Sequence, residues 1–158
     1  MEKILSFRVR GISPEPFRPL FDLTDAELHR LGARRVFADD PGMPCRVSMA
    51  HAEVGEELLL VNYEHQGANT PYRSNHAIYV RKIAAAAYDA VDVIPEVMAT
   101  RLLAVRAFDM DHMMIDADVC EGMQAAELFE KFLANPATQY LQVHNARRGC
   151  YAARVVRA

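Results

Sequence analysis

Cysteine is scarce in this chain: Cys45, Cys120 and Cys150 are the only three in 158 residues. They are too few and too scattered for a disulfide framework, and an odd number would strand one thiol in an oxidising compartment. Reduced thiols are therefore expected. Charge of one sign is lacking too, since 18 basic against 21 acidic side chains leave a formal net charge of −3. No whole-molecule field draws such a protein onto a polyanion, so neither nucleic acid nor an anionic membrane is an expected partner. No apolar run reaches the ~18 residues that a membrane helix needs. The opening stretch MEKILSFRVRG is broken by Ser6, Arg8 and Arg10 before it can build the apolar centre of a signal peptide. A cytoplasmic protein is the expectation. The seven glycines are dispersed, with neither the G-x-G-x-x-G nor the P-loop pattern that cradles phosphates. The histidines His51, His65, His76, His112 and His144 show no H-x-x-x-H pair that would set two imidazoles on one helical face. No metal site is expected, and the pattern identifies no cofactor.

What is present is a succession of short, well-punctuated elements. Leu5, Phe7 and Val9 alternate with Ser6, Arg8 and Arg10, the period of a half-buried strand, and Gly11 closes it. Ser13-Pro14 and the Thr24…Glu27 capping box predict two short helices, the second ended by Gly32. Residues 35–38 predict a strand, DDPGMP a turn, and 45–49 a return to extended chain. The run LLLVNYEH over 58–65 is the clearest central strand, apolar on both faces at its start and polar at its end. QGANTPYRSN reads as a loop and HAIYVRK as a strand. KIAAAAYDAVDVIP has no clear period, and Pro95 starts a helical turn.

Further on, RLLAVRAF and HMMIDADV flank Asp109-Met110-Asp111 as a hairpin. Met113, Ile115, Ala117 and Val119 point one way from the second strand, and Asp116 and Asp118 the other. Ala125, Leu128, Phe129, Phe132 and Leu133 fall at i, i+3, i+4, i+7 and i+8, one face of an amphipathic helix that Asn135-Pro136 stops. QYLQVHN and CYAARVV then flank Arg-Arg-Gly as a hairpin with a left-handed glycine. The fold class expected is α+β, one domain over residues 1–158. It has a mixed, mainly antiparallel sheet, a few packed helices, and a C-terminal helix followed by a β-hairpin.

The stretch VHNARRGC, residues 143–150, gathers a histidine, an amide, two arginines and a thiol. A basic hairpin tip is ordinary surface chemistry. His144, however, shares a strand face with Tyr140 and Gln142, and a polar face beside a basic tip is the makings of a cleft.

The stretches CRVSMAHAEVGEELLLVNYEHQ, PYRSNHAIYVRK, MMIDADV and VHNARRGCYAARV, in that order from Cys45 to the C-terminus, resemble the bacterial family named domain of unknown function 1203. The resemblance covers most of the chain and implies no established activity. Where the family pattern has a glycine-proline step this chain has Asn75-His76-Ala77. Where it often has a C-x-x-C pair at the hairpin, Cys150 is followed by Ala153.

Three functional readings remain. In the first, Arg73 in the loop before a strand, Arg46 beside Cys45, and Arg147 with Arg148 at the hairpin tip supply forked donors to a small carboxylate or phosphate, oriented by Tyr72 and Asn145. In the second, Cys45 is a nucleophile activated by His65 or His144. In the third, the polar hairpin lies at a homodimer interface, because interfaces favour arginine and tyrosine at their centres.

Overall fold

The computed structural model describes residues 5–158; the signal-peptide reading falls partly on residues 1–4, which lie outside them. Six strands form one antiparallel sheet in the order β5-β1-β9-β8-β6-β7 and three form a second in the order β2-β3-β4. The strands are β1 (Phe7–Arg10), β2 (Arg34–Phe37), β3 (Glu57–Gln66), β4 (Ser74–Arg81), β5 (Asp89–Val91), β6 (Leu102–Phe108), β7 (Met114–Glu121), β8 (Tyr140–Asn145) and β9 (Tyr151–Arg157). The helices are α1 (Asp25–Arg30), α2 (Glu96–Ala99) and α3 (Ala125–Leu133), joined by 3-10 turns at Arg18–Asp22 and Gly122–Gln124. The expected α+β class, helix-then-hairpin ending included, is what the chain forms.

The sheet of six has two unlike faces. On one, α3 buries Ala125, Leu128, Phe129, Phe132 and Leu133 against Phe7, Val9, Leu103, Val105, Leu141, Val143 and Val155. This is the dry core, and removing so much apolar surface from water is its main stabilisation. Phe7 and Phe129 meet edge to face at 5.3 Å. On the other face lies the sheet of three, and the layer between the sheets is mixed: Leu59, Val61, Ile78 and Val80 of the small sheet cluster with Tyr151, while β8 brings polar side chains to it. Tyr140, Gln142 and His144 of β8 are all buried there. Gln66 Nε2 donates to Tyr140 Oη at 2.8 Å and Gln142 Nε2 donates to His65 O at 2.7 Å.

A register shift between Val143 and His144 sets Tyr151 opposite His144, whereas Ala153 lies opposite Val143. The extra residue is a β-bulge, and it turns a side chain to the other face of its sheet. Ala153 and Val155 thus join the α3 core while Tyr151 joins the inter-sheet layer, where its ring stacks on His65 at 5.5 Å and 7°.

Three local expectations need correction. The Ser13-Pro14 signal opens only a turn: Ser13 Oγ accepts from the Glu15 N–H, and the first helix is the 3-10 turn at Arg18–Asp22. Residues 45–49 are not a strand. The Met49 N–H donates to Cys45 O and the Cys45 N–H to Ala50 O, so the chain coils back on itself, with Met49 at φ 54°. The unassigned run after Lys82 contains β5, three residues held by β1. The capping box is as read, with Thr24 Oγ1 accepting from the Glu27 N–H at 3.2 Å.

Candidate functional site

A cleft of about 490 Å³ opens where the two sheets part. Its walls come from both sides of that seam. The small sheet contributes Tyr79 and the loop after β2, with Asp39, Asp40, Gly42, Met43 and Pro44. The large sheet contributes Arg101 and Leu102 at the head of β6, Glu121 at the end of β7, and Asn145, Arg147, Arg148 and Cys150 from the β8–β9 turn.

Local chemistry explains why the turn arrives there. The Gly149 N–H donates to Asn145 O at 2.7 Å and the Asn145 N–H to Cys150 O at 2.9 Å. Gly149 takes φ +79°, a conformation costly for any residue with a Cβ. The loop is therefore longer than the three residues the sequence suggests, and it throws Arg147 and Arg148 outward as exposed side chains. Among the described residues neither has an ion-pair or hydrogen-bond partner in the protein.

Beneath the tip sits Arg46, only 3% exposed. Its Nε donates to Tyr151 O at 2.6 Å, its Nη1 to Pro44 O at 2.6 Å, and its Nη2 to Cys150 Sγ at 3.1 Å. A guanidinium stays charged in proteins and a buried charge demands compensation. Burial pulls the Arg46 pKa below its ordinary value, an effect that Cys150 opposes and Arg101 reinforces. Asn145 Nδ2 approaches Cys150 Sγ at 3.6 Å, and its Oδ1 is shut off from solvent without a hydrogen bond. Arg101 is fixed by Gly42 O and Val97 O and by His51 Nε2 at 3.0 Å. A guanidinium only donates, so His51 Nε2 accepts from it, and burial first, then that cation, lowers the His51 pKa, with Glu96 opposing.

The residues singled out from sequence divide into three places. Asn145, Arg147 and Arg148 line the cleft, and Arg46 is buried behind it against Cys150. Tyr72 and Arg73 do not: Tyr72 packs edge-on to Phe108, and Arg73 donates to Glu64 Oε1 at 2.6 Å on the surface. Their loop lies beside the Tyr140 end of β8, whereas the cleft lies at the Asn145 end. Cys45, His65 and His144 are in neither place. Cys45 is 0% exposed and its sulfur accepts from the backbone N–H groups of Ser48 and Arg81, a small buried hydrophobe with satisfied lone pairs. His65 Nδ1 bonds Gln142 Oε1 at 2.8 Å and its Nε2 faces Ser74 Oγ at 3.2 Å. Neither imidazole has a hydrogen bond to a cysteine.

His144 Nδ1 bonds Gly149 O at 3.1 Å, leaving Nε2 buried and unpartnered. Burial first, then the Arg106 charge, holds the His144 pKa down at about 3. Burial lowers the His65 pKa as well.

Sequence reasoning missed Cys150 as the cleft's thiol, together with Arg101, His51, Asp39, Asp40 and Glu121. VHNARRGC already contained Cys150, but its cationic partner lies 104 residues away, and spacing carries no sign of that. Among the described residues no group of three or more His, Cys, Asp or Glu side chains converges as a metal would require. No described helix is long and apolar enough to cross a membrane.

The family model described as "Protein of unknown function (DUF1203)" matches residues 42–157. Comparison with curated proteins and with solved structures found no match to either.

Proposed function

The chain belongs to the DUF1203 family of unknown function, so chemistry at the cleft must carry the functional reading, and we propose that it binds a small anionic molecule. The observation that carries this is one cleft, of about 490 Å³, lined by three guanidinium groups, Arg101, Arg147 and Arg148, of which the last two have no partner among the described residues. That volume suits a metabolite-sized ligand. Arginine forks match the planar geometry of a carboxylate or phosphate and bind it in pairs.

The acidic residues set the rest of the ligand. Asp39 and Asp40 line the opposite side of the cleft and Glu121 the same side as the arginines, so the site's net charge is near balance and its selectivity lies in where the aspartates and the hairpin arginines stand. The acidic group of the ligand sits against the hairpin wall, and its hydroxyl or amino donors face Asp39 and Asp40. A bare polyanion would meet carboxylates on the far wall, which favours a small, mixed-polarity molecule.

The test is a thermal-shift series with inorganic phosphate, short hydroxy acids and amino acids. The double variant Arg147→Ala/Arg148→Ala and the remote variant Arg73→Ala are run in parallel. At 100 times its dissociation constant a ligand adds about 2.7 kcal/mol, worth roughly 5–10 °C in a chain of this size. The shift is expected in the unmodified protein and in Arg73→Ala, and lost in the double variant. An equal shift in all three overturns the reading.

A further inference from the structure

The cleft's thiol is the group that the anion-binding reading leaves without a task. Two N–H donors converge on Cys150 Sγ, Arg46 Nη2 at 3.1 Å and Asn145 Nδ2 at 3.6 Å. Neither group can accept a proton from a thiol or a hydrogen bond in return through those atoms. Arg46 is 3% exposed, and its other two contacts are uncharged backbone carbonyls. Cys150 is thus the one ionisable group in the hydrogen-bond shell of a buried cation. It also lines the cleft, which separates it from Cys45, buried completely. Asn145 Oδ1 is enclosed behind the same wall with no donor, so the amide meets the cleft only through the sulfur that its Nδ2 approaches.

From this convergence we infer that Cys150 is a nucleophile, with Arg46 and Asn145 as its positioning residues, acting on a small anion that bears an electrophilic carbon. The inference deepens the anion-binding reading and rests on it for the substrate class. The sulfur lone pair forms an S–C bond. The bond from that carbon to its leaving group breaks, the electron pair departs with the leaving group, and the thiol proton passes to solvent. Arg147 and Arg148 hold the acidic end of the molecule while Arg46 orients the sulfur. Neither His65 nor His144 takes part.

Paired alkylating probes test this on the full chain. Iodoacetate is anionic and iodoacetamide is neutral; both transfer carbon to sulfur with loss of iodide, and peptide mass mapping reads Cys45, Cys120 and Cys150 separately. In the native protein Cys150 is expected to react with iodoacetamide about tenfold faster than Cys120, or than Cys150 in the urea-unfolded chain, because a thiol's reactivity follows its electropositive, accessible surroundings. Iodoacetate is expected to be preferred over iodoacetamide in the native protein alone. Arg147→Ala/Arg148→Ala removes that preference. Asn145→Ala slows both probes. Arg46→Gln slows both, and Arg46→Lys restores part of the rate, which a merely structural role would not do. Equal iodoacetamide rates for Cys150 in the native and unfolded chains overturn the inference. Fast alkylation with no preference for iodoacetate supports the nucleophile and overturns the anion reading of the cleft.

Discussion

At 1% exposure, His144 has surrendered its water and received one hydrogen bond in exchange, from its Nδ1 to Gly149 O. Its pKa, held at about 3 against an ordinary 6.5, makes it a source of acid sensitivity. Below pH 6.5 the unfolded chain takes up a proton that the native chain refuses until about pH 3. Stability is therefore fully retained above pH 6.5 and declines through that window, with a slope approaching about 1.4 kcal/mol per pH unit. His65 adds to it in the same sense. Urea denaturation at pH 7 and pH 5 should show the loss, and His144→Asn should flatten the difference whatever it does to stability at pH 7. The same residue marks a limit of sequence reading. His144 was placed correctly on one strand face with Tyr140 and Gln142, but a second sheet covers that face, so the imidazole is sealed in and cannot serve Cys45. Adjacency misled in the case of Cys45-Arg46. A turn sends the sulfur inward, while the guanidinium reaches across to Cys150.

Between elements, two contacts are demanding. Gly122 lies where the turn before α3 crosses the end of α2, and its N–H donates to Arg101 O at 2.8 Å. A Cβ there would stand 1.8 Å from Met98 O and 2.8 Å from Arg101 O. Gly122→Ala must push the turn away from backbone that cannot yield, at a cost of about 1–3 kcal/mol. A lowered urea midpoint should report it, and Arg101 should lose its place on the cleft wall. The second contact is the outer edge of β7. Its apolar set faces solvent, Ile115 at 39% and Val119 at 54% exposure; it is Cys120 that packs against the core. An edge of this kind invites another strand. Asp116 Oδ1 accepts from the Ala117 N–H at 2.9 Å and Asp118 Oδ1 from the Val119 N–H at 2.8 Å, so the side chains occupy the donors that a second chain would use. Replacing both by alanine should produce concentration-dependent self-association in sedimentation velocity, where the unmodified protein shows less. The five-residue apolar face of α3 and both hairpins were legible because packing rewards the one and turn chemistry the other, and alternation identified β7 as a strand although its apolar set is left in solvent. β5 and the coil at 45–49 were not. Three residues with exposed ends carry no period, and a turn closed by its own backbone leaves little trace in residue type.

For the molecule as a whole, the division is between an apolar interface and a mixed one. The α3 side of the large sheet is an apolar core edged by the Arg157 guanidinium, which donates to Leu133 O at the end of α3, while the two sheets are pinned together by Gln66–Tyr140 and His65–Gln142. Sequence patterning predicted one mixed sheet, because period-2 alternation marks a strand's inner face without saying which neighbouring layer covers it. Tyr140, Gln142 and His144 face a layer that sequence-distant β3 and β4 provide, and only the register of the two sheets brings them together. The charges of the cleft follow from the same arrangement, the small sheet's side supplying Asp39 and Asp40 and the large sheet's side Arg101, Arg147, Arg148 and Glu121.

The cleft straddles the line along which the two sheets meet, and Arg46 crosses that line. Its backbone is hydrogen-bonded to Tyr79 of the small sheet and its side chain to Tyr151 of the large one. Occupancy and docking are then two readings of a single equilibrium. Whatever fills the gap acts as a rivet between the layers, and by thermodynamic reciprocity anything that loosens the layers weakens its hold on the rivet by the same factor.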